Sequence, residues 1–338
     1  MAIISPSNAG ATTTSSSRRL DILERTSYLG GEPVHKIMTD TATDSVIDAL
    51  TTGRDWIRWG ASELHRAHRC SGHGFSTPLD ECAFLIRHLL GLPQTSDDHW
   101  LDAHVLRAER QMIYDALHER IVDARPTAYI TGEAWFAGLP FAVDERVLIP
   151  RSPLGELIQA QFRPWLPDAP RRILDLCCGS GCIGIAAALA FPDAELVLAD
   201  LSPDALSVAA DNVELYGLEA RCSLVESDLF AALDAEPFDL ILTNPPYVPR
   251  EEVEVLPAEF GHEPRMGLES GDDGLFHPAQ IVAQARQFLT ERGALIGEVG
   301  AWWPELEAAF PRVSFTWVEL EQGGEGVFFV PAEGLPKG

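Results

Sequence analysis

Beyond Arg171 the chain repeats one pattern, a short apolar run followed by a stretch of helical period. The runs are Ile173–Cys177, Glu195–Ala199, Cys222–Glu226, Leu240–Thr243 and Leu295–Glu298, and they are followed by Ser314–Glu319 and Gly326–Val330. Strands separated by helices cannot be joined as hairpins, because parallel neighbours need a crossover and the crossover is the helix. The pattern therefore predicts an α/β fold, a doubly wound, seven-stranded, mainly parallel Rossmann-like sheet. Only Gln322 to Gly324 and their neighbours separate the last two runs, too few for a helical crossover, so those two strands are expected to pair antiparallel.

Upstream of the sheet the character differs. Residues 1–40 are rich in Ser, Thr, Ala and Gly and read as a disordered tail. Arg18 and Arg19 among serines give it the composition of an organelle transit peptide, but no amphipathic stripe accompanies them. Residues 41–125 carry helical period at Val46, Ile47 and Leu50, at Trp56, Ile57 and Trp59, and at Leu85, Ile86, Leu89 and Leu90. Gly53, Gly72 and Gly91-Leu92-Pro93 punctuate these runs, and Gln111 to Ala124 reads as the last helix of a small helical domain. Residues 126–150 are split by glycines at Tyr129-Ile130-Thr131-Gly132 and Trp135-Phe136-Ala137-Gly138 before Phe141-Ala142-Val143, which predicts hairpin strands linking the helical domain to a sheet domain over 151–334.

Composition narrows the partners. The 25 basic and 51 acidic side chains leave a formal charge of −26, which argues against stable nucleic-acid binding and favours a basic partner or a small ligand. No run approaches the roughly 18 apolar residues of a membrane helix, so no membrane association is expected. Six cysteines, three of them crowded at Cys177, Cys178 and Cys182, do not form a disulfide framework and suit a reducing cytoplasm.

The first chemical signal is Asp175-Leu176-Cys177-Cys178-Gly179-Ser180-Gly181-Cys182-Ile183-Gly184, where Gly179, Gly181 and Gly184 spell the turn that lets a backbone approach a nucleotide at a helix start. Asp175 precedes the first glycine, where a carboxylate can hold the turn or accept from an ammonium group. Asp200 ends the second strand roughly 20 residues past Gly179, the place of a ribose acceptor. Asp228 follows the third strand, where a carboxylate can accept from an adenine amino group. One aspartate at a strand end is commonly a cap or turn former, but these lie together at the carboxyl ends of neighbouring strands, where open α/β sheets bind their ligands.

The second signal is Asn244-Pro245-Pro246-Tyr247, directly after the apolar fourth strand. Two prolines fix φ and remove two donors, leaving the carbonyls of Asn244 and Pro245 without local N–H partners. A rigid turn with an amide on one side and a phenol ring on the other suits a planar NH₂ group held by acceptors beneath the ring.

The glycine turn and Asn244-Pro245-Pro246-Tyr247 together resemble class I S-adenosylmethionine-dependent methyltransferases that alkylate exocyclic or amide nitrogen. The upstream block, from Tyr129-Ile130-Thr131-Gly132 through Phe136-Ala137-Gly138-Leu139 to Val147-Leu148-Ile149-Pro150-Arg151, is similar to that of the N(5)-glutamine protein methyltransferases. Members acting on translation release factors usually continue Pro-Arg-Pro-Glu-Thr-Glu. Here the sequence is Pro150-Arg151-Ser152-Pro153-Leu154-Gly155-Glu156-Leu157, which resembles the branch that methylates the large-subunit ribosomal protein numbered three. The resemblance spans roughly Trp56 to Val330. It implies S-adenosylmethionine as cofactor, held by Asp175, Gly179, Gly181, Asp200 and Asp228. It implies a glutamine held by Asn244, Pro245, Pro246 and Tyr247, with Phe136 helping to cover the site. Asn244, Pro245 and Tyr247 are then the catalytic residues, and Asn244 adjoins both cofactor and substrate. A basic ribosomal protein is the implied partner.

Rival readings explain less. A nicotinamide dehydrogenase uses the glycine turn and Asp200 but leaves Asn244 to Tyr247 idle. An adenine-N(6) nucleic-acid methyltransferase shares the Asn-Pro-Pro-Tyr turn but needs cationic surface for phosphates. A release-factor methyltransferase shares the chemistry, and a non-catalytic ribosome-assembly factor requires lost cofactor binding. His65, His68, Cys70 and His73 have metal-like spacing without forming a standard Cys/His quartet, and no metal is expected. Glu263-Pro264 and Gly271-Asp272-Asp273-Gly274-Leu275 also match the family, equally well as a structural loop.

Overall fold

A computed structural model of the chain describes residues 40–70, 74–321 and 323–337. The expected N-terminal tail, apart from its last residue, lies outside the described residues, as does His73 of the metal-like spacing. Four helices come first: α1 (Asp40–Ala49), α2 (Gly53–Arg66), α3 (Pro78–Leu89) and α4 (Arg107–Ile121). Their starts follow from the sequence. Thr52 accepts from the Asp55 N–H while Asp55 accepts from the Thr52 N–H, a reciprocal capping box, and Thr77 caps α3 with Pro78 at its first position. Trp56, Leu64, Leu85, Ile86, Ile113 and Leu117 fill the core between these helices.

The linker corrects one expectation. Tyr129-Ile130-Thr131-Gly132 is not a strand, because residues Thr127–Thr131 form a helical turn, α5. Pro126 stands at its N-cap and Gly132, at φ +70°, ends it in the left-handed region. The hairpin proper is β1 (Glu133–Phe136) against β2 (Leu139–Ala142), antiparallel, with Glu133 opposite Ala142. After it comes α6 (Leu154–Gln159).

The sheet contains β3 (Arg172–Leu176), β4 (Glu195–Asp200), β5 (Cys222–Glu226), β6 (Phe238–Thr243), β7 (Leu289–Glu298), β8 (Thr316–Trp317) and β9 (Val327–Pro331). Their order is β5-β4-β3-β6-β7-β9-β8. Pairings from β5 across to β7 are parallel, and β9 is antiparallel to both β7 and β8, as the short connection requires. Crossovers are made by α7 (Cys182–Ala190), α8 (Pro203–Leu215) and α10 (Phe276–Gln284), with α9 (Arg250–Val253) and α11 (Trp303–Ala309) as shorter additions. One face of the sheet packs Ile173, Leu196, Leu198, Leu240 and Leu242 against α6, α7 and the hairpin residues Phe136 and Phe141. The other packs Leu174, Leu176, Ile241 and Leu295 against Ile281 and Leu306. Because both faces are covered, the strands read as continuous apolar runs rather than alternating ones.

Two buried polar clusters lock this assembly, one at the glycine turn and one between the helical domain and the sheet domain. Asn212 of α8 bonds both ways with Ala142 of β2, at 2.8 and 3.0 Å, and also donates to the Ser180 carbonyl at 2.9 Å. Arg120 of α4, 1% exposed, donates to Glu81 and reaches Glu259 at 3.2 Å, the two carboxylates being 3% and 2% exposed. Glu259 lies past the Asn-Pro-Pro-Tyr turn, so this ion cluster joins the helical domain to that segment. Cys70 completes it, its N–H donating to Glu259 at 2.8 Å and its carbonyl accepting from Arg120 at 2.7 Å.

Candidate active site

The chain runs from β3 outward to β4 and β5, then returns to the other side of β3 as β6. That reversal is a topological switch point, and the crevice outside the carboxyl ends of the strands there is where such sheets bind ligands. The parallel register brings Leu176 beside Ala199 and Thr243, and Asp200 beside Glu226, so the four strand ends form one edge. The glycine turn, Asp200, Asp228 and Asn244 all emerge from it.

The turn is built from left-handed backbone at Cys177, Gly179 and Gly181, with φ of 61°, 53° and 75°. A Cβ on Gly179 would meet nothing within 4 Å, so this glycine faces open space, whereas a Cβ on Gly184 would fall 2.7 Å from that of Asp175. The turn thus needs Gly184 for packing and Gly179 for its conformation and open face. Asp175 is wholly buried beneath it and accepts from the Gly184 N–H at 2.7 Å through Oδ2. Its Oδ1 has no partner among the described residues. Burial, partly offset by the Gly184 bond, pushes the carboxyl up to about 7. Of the two roles open to Asp175, it performs that of holding the turn.

Asp200 accepts from the Gly179 N–H and the Ser202 N–H, each at 2.9 Å, so it shapes the turn as well as bordering it. Each carboxylate oxygen keeps acceptor capacity for a further donor. Burial raises its carboxyl above the usual range. Asp228 is exposed at the end of β5, and the preceding Ser227 N–H is tied to the Asp200 carbonyl at 2.9 Å. Burial first, and the neighbouring carboxylates second, hold the Cys177 and Cys178 thiols well above their ordinary value, so neither is a ready thiolate.

Asn244 follows β6, and the Thr243 hydroxyl anchors the strand end by donating to the Leu176 carbonyl at 2.8 Å. The Asn244 carboxamide is partly exposed and bonds to no side chain or backbone group among the described residues. Pro245 is buried and Pro246 half-buried, which fixes the turn. The Tyr247 hydroxyl donates to Glu298 at 2.8 Å. Phe136 departs from expectation: it is 5% exposed and packed in the sheet core beside Phe141 and Gly155, so it offers the site little surface.

Several residues that organise the site had no role at the level of sequence. Glu298 ends β7 and also accepts from the Ser152 hydroxyl at 2.6 Å. Glu263 is buried, pairs with Arg151 at 2.8 Å and accepts from the Ile149 N–H, so the Pro150-Arg151 block is bolted to the segment past the Asn-Pro-Pro-Tyr turn. The available signal was a carboxylate closing an apolar strand, since a buried charge requires partners. Glu251, Glu252 and Glu254 are exposed beside α9. His65, His68 and Cys70 belong to no metal-binding group of three or more His, Cys, Asp or Glu among the described residues.

A glycine turn at the switch point, carboxylates on the next two strands and an Asn-Pro-Pro-Tyr turn across the crevice, on a sheet with one reversed strand, define a class I methyltransferase. The family model for the methyltransferase small domain matches residues 160–271, which contain the glycine turn, both carboxylates and the Asn-Pro-Pro-Tyr turn. The ribosomal protein uL3 glutamine methyltransferase of Francisella tularensis subsp. tularensis is 40% identical over 294 residues, 86% of this chain and 94% of that protein. Its namesake in Neisseria meningitidis serogroup A is 44% identical over 288 residues, 85% of this chain and 95% of that protein. A crystal structure of a methyltransferase from Pyrococcus furiosus is similar at 11% identity and a TM-score of 0.43, covering 67% of this chain and 98% of that one. The chain belongs to the ribosomal protein uL3 glutamine methyltransferase family.

Proposed function

We propose that the protein transfers a methyl group from S-adenosylmethionine to the side-chain amide nitrogen of a glutamine in ribosomal protein uL3, in the cytoplasm. The observation that carries this reading is the Asn244 carboxamide, held rigidly at the crevice with no partner of its own among the described residues.

The crevice fits the cofactor. Gly179 presents backbone with open space before it, Asp200 retains acceptor capacity suited to ribose hydroxyls, and exposed Asp228 suits an exocyclic amine. Asp175 and Gly181 act from within, holding the shape of the turn. When bound, S-adenosylmethionine supplies an electrophilic methyl group on a sulfonium centre.

The residues opposite address a specific difficulty. An amide nitrogen is a poor nucleophile, because its lone pair is delocalised into the carbonyl. The Asn244 side-chain oxygen and the Pro245 carbonyl can accept both N–H groups of the glutamine and favour charge leaving the nitrogen as the bond to the methyl carbon forms. No strong base is required, since the proton is lost more readily after alkylation. Holding the nitrogen in line is worth up to about 7–11 kcal/mol of effective molarity. The Tyr247 ring shields the site and offers its π-face to positive charge.

The partner follows from charge. At −26 the chain suits a basic protein and opposes a nucleic-acid backbone. The test is intact-mass analysis of purified uL3, a release factor and an adenine-containing DNA after incubation with the protein and S-adenosylmethionine. One methyl on a uL3 glutamine supports the reading, whereas methylation of the release factor or the DNA alone overturns it.

A further inference from the structure

The chemistry above uses the Tyr247 ring and leaves its hydroxyl without a task, yet that hydroxyl ends a partly buried chain of hydrogen bonds. Glu298 lies at the centre. One of its oxygens accepts from the Tyr247 hydroxyl at 2.8 Å, and the other accepts from the Ser152 hydroxyl at 2.6 Å. Ser152 is itself fixed, its Oγ also accepting from the Leu154 N–H at 3.2 Å at the start of α6. Arg151, beside Ser152, is held by Glu263 and faces this group electrostatically. The chain thus runs from the linker preceding α6, through the end of β7, to the last residue of the transfer turn.

The remainder of the Tyr247 seat leaves little room. A Cβ on Gly300, at φ +50°, would stand 3.0 Å from the Tyr247 ring, and one on Gly274, at φ +76°, would stand 2.5 Å from the Tyr247 carbonyl oxygen. Gly326, which opens β9, presses against Gly300 so closely that its own Cβ would fall 2.0 Å from the Gly300 carbonyl oxygen. The ring therefore rests on glycine backbone, and the bond to Glu298 fixes where along that surface it sits. Burial first, and Glu298 second, hold the Tyr247 phenol well above its ordinary value, so it remains a donor. Burial also raises Glu298 above the usual carboxylate range against the pull of both hydroxyls and Arg151.

We infer that Glu298 is a positioning residue for methyl transfer: by holding the Tyr247 hydroxyl, with Ser152 securing its other oxygen, it fixes the tilt of the ring and the aim of the Asn244 and Pro245 acceptors behind it. A buried carboxylate requires partners, and each Glu298 oxygen has one here. The inference rests on reading the Asn-Pro-Pro-Tyr turn as the transfer site.

The test is steady-state methylation of purified uL3, followed by mass, for Glu298→Gln, Tyr247→Phe, their double mutant and Ser152→Ala, with Asn244→Ala as the control for the site itself. A misplacement of about 1 Å at a reacting centre can cost about 100-fold. Tyr247→Phe, which cuts the link, is expected to lower kcat about 10-fold to 100-fold, and Glu298→Gln, which leaves Tyr247 a weaker, uncharged acceptor, is expected to lower it several-fold. The double mutant should be no worse than the poorer single mutant, since both act on one hydrogen bond. Calorimetric affinity for S-adenosylmethionine should stay within about 2-fold of wild type, because the variants keep an aromatic ring at position 247 and leave the glycine turn and Asp200 unaltered. Normal kcat in folded Glu298→Gln, or losses that multiply in the double mutant, would overturn the role of Glu298. Should Glu298→Gln not fold, Tyr247→Phe and Ser152→Ala each remove only a hydroxyl, and normal kcat in both has the same meaning. Full activity in Asn244→Ala would instead overturn the reading of the site.

Discussion

Replacing Asp175 with Asn removes a charge that the fold holds at a cost, and the size of the effect follows from its surroundings. The carboxyl is wholly buried, accepts one bond from Gly184, has no partner at Oδ1 among the described residues and is pushed up to about 7. Its ordinary value is 3.8. The native state therefore binds this proton more tightly than the unfolded chain. Its stabilising effect is complete below about 3.8 and is lost as pH rises through about 7. At 1.36 kcal/mol per pH unit, this group alone makes wild type lose roughly 2–3 kcal/mol of stability between pH 5 and pH 8. Asn keeps an oxygen for the Gly184 N–H and does not titrate. Urea unfolding of both proteins at several pH values should then give a difference curve that swings in favour of Asp175→Asn by that amount as pH rises. All other titrating groups cancel in the comparison. A flat difference curve would refute the account of Asp175 as a strained, buried carboxyl.

Three further outcomes are expected. Asp200→Ala should weaken S-adenosylmethionine binding at least about tenfold by calorimetry, because it removes acceptors for ribose and frees the Gly179 and Ser202 N–H groups it now holds; unchanged affinity in a folded variant sinks its assignment. Arg120→Met should cost about 3–5 kcal/mol in urea unfolding by stranding Glu81 and Glu259 in the core, and replacing all three with apolar residues should recover most of the loss; a single variant as stable as wild type contradicts the cluster's role. Methylation of whole uL3 should slow as salt rises, because exposed Glu251, Glu252 and Glu254 steer a basic partner over roughly 8–10 Å, whereas a neutral glutamine peptide should respond little; parallel salt profiles remove steering from the account.

The sheet was legible because its central strands β3, β4 and β6 are buried on both faces and so write themselves as apolar runs, and because the spacing between runs decides parallel from antiparallel. The helical turn over residues 127–131 was not. Tyr129 and Ile130 look like strand residues in isolation, and what overrides them is non-local, namely the Tyr129 hydroxyl donating to the Val147 carbonyl at 2.6 Å within a buried cluster. The site divides in the same way. Gly179, Asp200 and Asn244 were legible because each combines a chemical residue type with a strand end. Phe136 was less legible, because an aromatic beside a glycine can line a crevice or fill a core, and only packing shows that it is buried in the core. Glu298, Ser152 and Arg120 act through partners far away in sequence, and no local pattern announces a partner.

The reversed strand β9 has a consequence for how the edge of the sheet is used. Parallel strands all deliver to the carboxyl edge the loop that follows them. An antiparallel strand delivers the loop that precedes it, so Gly324 and Gly326 return to the same rim from the far end of the chain, and pack against Pro153 and Gly300 there. The platform under Tyr247 is thus closed by residues near the C-terminus, although every recognisable motif ends far earlier. A protein cut before β8 would keep both signature turns and Gly300 under the Tyr247 ring, but would lose the Gly326 backbone that packs behind Gly300.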